Sequence, residues 1–490
     1  MGAIIWVVIL LTVSPCLFLV VHIRKLRSSN QSRRITVLKT LGQSELHDKK
    51  FVGFFHPYCN AGGGGERVLW TAIAALQRNE PNVISVVYTG DTDAAKEEII
   101  DKVKTRFDIA LSPKTLHLVF LLSRDLVEDS TWPQFTLLGQ SLGSMYLAWE
   151  AMSKLIPDLY IDTMGYAFTF HIVKWVGGIP IGAYVHYPTI NTDMLARVKS
   201  RTKWHTNSDT ISSSSVLSGA KLMYYRLFMY YYALSLRTAS FLMVNSSWTK
   251  NHIDAILLLL KLLQPGGPGE ARIVYPPCDT REMAKFSLEG RERVILSVAQ
   301  FRPEKDHAAQ LYSLHELFKA YPEYTKAGKS QVKLVLVGGS RNAGDAARVE
   351  GLRALVKELG IEQSVEFVVN APYSLMLDWL SRASIGISTM VDEHFGINVV
   401  ELMAAGVIPV AHASAGPLLD IVVPFHGQPT GFHATTPKTF AEALHKVLTL
   451  SLAEELALRQ RARTWAVQRF SQEEFEKGWS ESGWKTWLPS

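Results

Sequence analysis

The chain has 490 residues, 47% of them hydrophobic and 20% charged. That balance supports about two to four packed domains and excludes a disordered polymer. Three cysteines (Cys16, Cys59, Cys278) exclude a disulfide framework, and no two of them have metal-ligand spacing. The formal charge is +6, and residues 24–50 alone hold eight basic and two acidic groups. The rest of the chain is therefore neutral, which argues against a nucleic-acid-binding surface.

Residues 3–23 form an apolar run broken only by Thr12, Ser14, Pro15 and His22. As a helix it spans roughly 30 Å, the thickness of a hydrocarbon core. A cleaved signal peptide would carry its charge before the apolar run and an Ala-x-Ala site after it. Here the charge follows, so residues 1–23 read as an uncleaved transmembrane anchor. The positive-inside rule places residues 24–48, a basic linker, and all that follows in the cytosol. The sequons at Asn30 and Asn245 then stay unmodified.

Beyond the linker, short apolar runs alternate with amphipathic stretches: residues 51–55, 83–89, 115–121, 159–164, 179–186 and 241–245. Runs this short and this rich in Val, Ile, Tyr and Phe are parallel strands covered on both faces. The first is followed by FFHPYCNAGGGGER at 54–67, four glycines between a strand and a helix over 66–77. Glycine lets a backbone approach a ligand closely, and a helix N-terminus offers N–H groups to an anion. The string is neither a P-loop nor a Gly-x-Gly-x-x-Gly fingerprint. Asp91 and Asp93 read as caps of a helix starting near Ala94 rather than as metal ligands. His186 ends a strand. Residues 221–236 are aromatic nearly all round and 253–263 are leucine-rich. They read as buried helices of the first domain, or as a surface dipping into the bilayer interface.

The IVYPPCD string at 273–279 breaks any element and marks a hinge. The alternation then restarts, with strands over 294–299, 333–337, 365–369, 385–388 and 407–411. The boundaries drawn are 49–279 for an N-terminal domain and 280–490 for a C-terminal one. Both are α/β and Rossmann-like, and ligands of such sheets bind beyond the strands' carboxyl ends. Two such sheets in tandem would enclose a cleft between them. Arg302 and Lys305, in AQFRPEKDH at 299–307, can clamp a phosphate pair as a bidentate fork and a point charge. The string DEHFGINVVE at 392–401 spaces Glu393 and Glu401 eight apart around the Phe395–Gly396 turn. A helix starting near Asn398 puts Glu401 in its first turn, under an N-terminus that favours anions.

Together these residues resemble the retaining GT-B nucleotide-sugar glycosyltransferases, from about Phe51 to the C-terminus. The strings GGGGER (62–67), YVHYP (184–188), VNSSWT (244–249) and QFRPEKDH (300–307) look like the endoplasmic-reticulum GDP-mannose α-1,2-mannosyltransferases of asparagine-linked glycosylation. The resemblance implies a GT-B fold, with 49–279 on the acceptor side and 280–490 binding the nucleotide sugar, and a catalytic set of Glu393, Arg302, Lys305 and His186. Glu393 would hold the transferred mannose, Arg302 and Lys305 would neutralise the leaving diphosphate, and His186 would contact sugar or acceptor. Glu401 would bind the ribose, Gly64 and Gly65 would admit the sugar-phosphate, and Phe395 and Gly396 belong to the substrate-binding set. It implies no cofactor and no essential metal. The donor would be GDP-mannose and the acceptor a dolichol-diphosphate oligosaccharide that gains its fourth and fifth mannoses. The body would lie on the cytosolic face of the endoplasmic-reticulum membrane, possible partners being other dolichol-pathway mannosyltransferases. A dolichol-pathway or glycolipid transferase using GDP-mannose or UDP-GlcNAc is the alternative. A sugar-nucleotide epimerase shares the architecture but needs no anchor, and a non-catalytic tether needs none of these motifs.

Overall fold

The computed structural model describes residues 2–43, 48–199, 215–261, 267–328 and 330–489. They form two units: Met1–Val244 with Thr249–Val274 and Gly478–Ser490, and Asn245–Trp248 with Tyr275–Lys477.

The first unit opens with helix α1 (Gly2–Thr40) and continues β1 (Lys50–Phe55), α2 (Gly64–Asn79), β2 (Val83–Thr89), α3 (Lys96–Phe107), β3 (Leu116–Phe120), α4 (Thr136–Lys154), β4 (Leu159–Asp162), α5 (Thr169–Val176), β5 (Ile181–Val185), α6 (Thr192–Lys199), α7 (Ser215–Leu236), β6 (Phe241–Val244), α8 (Ser247–Lys261) and β7 (Arg272–Ile273). All seven strands are parallel, in the order β3-β2-β1-β4-β5-β6-β7. Strand order reverses between β1 and β4, and ligands of such sheets bind beyond the carboxyl ends of the strands at that point.

Residues 24–40, expected as a linker, are the docked second half of α1. Neither glycine nor proline interrupts them. Arg27 donates to the carbonyls of Val176 and Trp175 at 2.8 Å, Arg34 pairs with Asp158, and Ile23, Leu26, Val37 and Leu38 are buried in the first core. The Asn30 amide both donates to and accepts from the Ile156 backbone at 2.9 Å, and Asn245 is buried, so neither sequon presents a free side chain. Residues 44–47 of the expected linker, residues 262 and 263 of the leucine-rich stretch, and the side chains of 1–16, on which most of the anchor expectation falls, lie outside the described residues. Among the described residues no helix is long and apolar enough to cross a membrane.

The buried-helix reading of the aromatic stretch holds for one face of α7. Tyr225, Phe228, Tyr232 and Leu236 are buried, while Met223, Leu227, Tyr230 and Tyr231 are exposed. On α4, Leu138, Leu142 and Tyr146 recur every fourth residue and are likewise exposed.

The second unit runs through a short helix at Thr280–Met283 (α9) to β8 (Glu292–Val298), α10 (His307–Ala320), β9 (Lys333–Gly338), α11 (Ala343–Glu358), β10 (Val365–Val369), α12 (Tyr373–Arg382), β11 (Ala383–Ser388), α13 (Ile397–Ala404), β12 (Ile408–His412), β13 (Phe432–Ala434), α14 (Pro437–Leu448), α15 (Leu452–Phe470) and α16 (Gln472–Glu481). Its six parallel strands lie in the order β10-β9-β8-β11-β12-β13, so the reversal falls between β8 and β11.

The units divide at Val274, five residues before the boundary drawn at 279. The last thirteen residues, drawn with the second domain, return to the first unit. The physical reason is aromatic. Trp479 is buried and stacks on Phe54 and Tyr184 at 6.4 and 6.2 Å between ring centroids, and Trp484 is buried as well.

Candidate active site

In the second unit the loops after β8 and β11 are tied together. The Thr389 hydroxyl reaches the carbonyls of Lys305 and Asp306 at 3.1 and 2.9 Å. Asp306 holds a left-handed φ of 46° and caps α10 by accepting the Ala309 N–H. This fixes Lys305, whose ammonium donates to Glu393 Oε2 at 2.5 Å and lies 3.1 Å from the Met390 sulfur. Arg302 is more open, 3.8 Å from Glu304. His307 beside them is buried, and burial, reinforced by Lys305, pushes its pKa down to about 4. The imidazole is therefore neutral at pH 7, which leaves Lys305 and Arg302 as this loop's cations.

The Glu393 loop is held at both ends. Its carbonyl accepts the Gly416 N–H at 2.9 Å, and Gly396 caps α13 at φ +115°, a conformation that favours glycine. Trp248 stacks on His394 inside the motif at 5.2 Å. Helix α13 starts at Ile397, so Glu401 belongs to its second turn, not its first, and complementing the helix dipole does not explain it. Phe395 is 3% exposed and packs against Tyr275 and Phe470, so only its backbone can meet a ligand.

In the first unit β1 runs into the glycine loop, and Gly63 is the N-cap of α2. A glycine cap has no side chain to take a first-turn N–H. Glu66 instead reaches back, and its Oε2 accepts the Gly63 N–H at 2.5 Å. A methyl on Gly65 would lie 3.7 Å from His186 Nε2 and 4.0 Å from His56 Cε1. The structure thus brings Gly64, Gly65 and His186 together in one unit, and Arg302, Lys305, Glu393 and Gly396 in the other.

The sequence reading missed Glu66, His56 and Thr163. Glu66 follows the four glycines directly, a signal that was available. Beside Thr163, the Asp162 carboxyl is fully buried and accepts the N–H groups of Met164 and Gly165. Burial pushes its pKa up to about 7 against the lowering effect of those bonds.

The Asp91 expectation fails. Helix α3 begins at Lys96 and is capped from within, Glu98 accepting the Ala95 N–H at 2.8 Å. Asp91 is buried, accepts the Asn60 N–H at 2.9 Å and pairs with Arg124 at 2.6 Å. Asp93 is exposed, and no group of acidic, His or Cys side chains among the described residues could hold a metal.

Solved structures of this design include Anabaena HepE in complex with UDP and glucose (TM-score 0.58, 16% identical, covering 88% of this chain and 98% of that one). Alpha,alpha-trehalose 6-phosphate synthase from Burkholderia multivorans is another (TM-score 0.63, 12% identical, 89% and 98% covered). The fold is that of the GT-B glycosyltransferases. Residues 49–257 match the family described as ALG11 mannosyltransferase N-terminus, and 279–465 match glycosyl transferases group 1. The mouse GDP-Man:Man(3)GlcNAc(2)-PP-Dol alpha-1,2-mannosyltransferase is 46% identical over 94% of this chain and 91% of its own. The human enzyme of that name is 44% identical over 95% and 92%, and that of Xenopus laevis 48% over 87% and 86%. The chain belongs to this family of alpha-1,2-mannosyltransferases.

Proposed function

We propose that the protein transfers mannose from GDP-mannose to the trimannosyl dolichol-diphosphate acceptor, in α-1,2 linkage and with retention, adding the fourth and fifth mannoses. One observation carries the reading: 46% identity to the mouse enzyme extends over 94% of the chain, both matched regions included. The second unit's geometry supports the chemistry. Lys305 and Arg302 lie at the carboxyl end of β8, where positive charge stabilises a departing diphosphate. Glu393 is held 2.5 Å from that ammonium and is the group to orient the transferred mannose, with Glu401 on the ribose. Gly64 and Gly65 admit the sugar-phosphate, and His186 contacts sugar or acceptor. Arg, Lys and the helix N-terminus supply the positive field, so no metal is required.

The body works on the cytosolic face of the endoplasmic-reticulum membrane, held by the apolar run at 3–23 as a single-pass anchor. The exposed apolar faces of α4 and α7, with Leu17, Phe18, Val20 and Val21 of α1, favour apposition of the first unit to lipid. The test is incubation of the full chain with labelled GDP-mannose and the dolichol-diphosphate trimannosyl acceptor. Two mannoses should be added and then released by an α-1,2-specific mannosidase. No transfer, or a product resistant to that mannosidase, overturns the reading.

A further inference from the structure

His56 and Thr163 are the first residues beyond β1 and β4, the neighbouring strands at which the first sheet's order reverses. The Thr163 hydroxyl lies 2.8 Å from His56 Nδ1 and 3.3 Å from the Phe55 carbonyl, which already accepts the Thr163 N–H. Donated over the shorter distance, its one proton makes Nδ1 the acceptor and leaves the ring proton on Nε2. The other ring nitrogen, Nε2, faces Glu66 at 3.7 Å from Oε1 and has no hydrogen-bond partner among the described residues. His56 is wholly buried, where a polar atom without a partner is rare and costly. The second oxygen of Glu66 holds the Gly63 N–H. A line of contacts thus runs from the sheet through Thr163, His56 and Glu66 to the glycine loop.

We infer that His56 is a positioning residue for mannose transfer. It holds the Glu66 carboxylate, and through it sets the aim of the Gly64 and Gly65 N–H groups at the sugar-phosphate. The inference rests on the reading of the glycine loop as a substrate contact. A core histidine kept only for packing would not need its inner nitrogen directed at the carboxylate that holds the Gly63 N–H.

The test is steady-state kinetics of the full chain in membranes, with thermal melts as the folding control. Asparagine at position 56 places an amide where Nδ1 lies, and glutamine places one where Nε2 lies. His56→Asn should lower kcat about 10- to 100-fold, the scale of a small misplacement of a substrate-orienting group, with KM for GDP-mannose within about twofold. His56→Gln should recover most of that loss. The double variant His56→Asn/Glu66→Gln should lose no more than the worse single one, because both act through one loop. Wild-type kcat in His56→Asn, equal kcat in the Asn and Gln variants, or losses that multiply would overturn the inference. Should His56→Asn fail to fold, Thr163→Val, which removes only the outer bond, decides by the same kcat criterion. Gly65→Ala separates this inference from the reading beneath it. A methyl there meets only ordinary contacts within the protein, so lost activity reports on the ligand. Full activity in Gly65→Ala overturns both. Lost activity there with intact His56 variants overturns this inference alone.

Discussion

Removing the Glu393 carboxylate should separate chemistry from folding. The side chain is 13% exposed, and its partner Lys305 is 22% exposed. Water therefore reaches the ammonium that Glu393→Ala sets free, and the stability loss should be about 1 kcal/mol, a melting shift of about 2–4 °C. The catalytic loss should be larger. A carboxylate on the transferred sugar acts where positive charge develops at the anomeric carbon, and removing one such preorganised group costs about 10²-fold in kcat, or roughly 2.7 kcal/mol. Glu401→Ala should behave differently. A carboxylate bonded to ribose makes the same contact before and during transfer, so KM for GDP-mannose rises while kcat holds. The assay is initial-rate kinetics in both substrates, with melts of each variant. A Glu393→Ala enzyme with kcat within about twofold of the parent refutes the assignment. So does a Lys305→Ala/Glu393→Ala double variant no slower than Lys305→Ala, for Glu393 would then serve only to hold the lysine.

Asp162 should make stability fall as pH rises. Its folded pKa near 7 exceeds the ordinary 3.8, so the native state holds a proton that the unfolded chain releases. The effect is absent below about pH 4 and complete above about pH 7, at most about 4 kcal/mol. Asp162→Asn, which keeps an acceptor for Met164 and Gly165, should flatten the melting temperature across that window. Gly396→Ala has room for its methyl, 3.4 Å from the nearest side-chain atoms, but must adopt φ +115°. It should destabilise by about 1–2 kcal/mol and weaken GDP-mannose binding, read by melts with and without donor. Leu142→Glu and Leu227→Glu, on the exposed faces of α4 and α7, should each reduce sedimentation with liposomes without altering the melt of the detergent-solubilised chain. Excess chelator should leave most of the transfer activity, and loss restored by manganese would reveal a metal requirement.

Among the described residues, eleven of the thirteen strands were legible as apolar runs, because a strand covered on both faces must be apolar throughout. The other two, Arg272–Ile273 and Phe432–Ala434, are edge strands of two and three residues, too short for any period. The Glu-x7-Glu loop was legible because its residues are close in sequence, whereas the Lys305–Glu393 pair joins residues 88 apart and follows only from the pairing of β8 with β11. The His56–Thr163 bond joins residues 107 apart, and only the reversal between β1 and β4 makes them neighbours. Asp91 was misread for the same reason in reverse. A carboxylate before a helix reads as a cap, but a guanidinium 33 residues on claims it. Helix α1 shows the limit of charge patterning, since basic residues in a row describe a solvated linker equally well until the carbonyls of Val176 and Trp175 appear beside Arg27.

The return of the C-terminus to the first unit bears on how the chain is made. Trp479 completes the packing around Phe54 of β1 and Tyr184 of β5, Trp484 is buried, and the Glu481 carbonyl accepts from Arg272 at 2.5 Å. A ribosome delivers Phe54 of β1 some 425 residues before Trp479. The second unit can close on itself while synthesis is under way, but the first must wait with an aromatic face open until the segment after Lys477 emerges. The unit made first is finished last. A truncation before Trp479 would therefore damage the first unit while leaving the second whole.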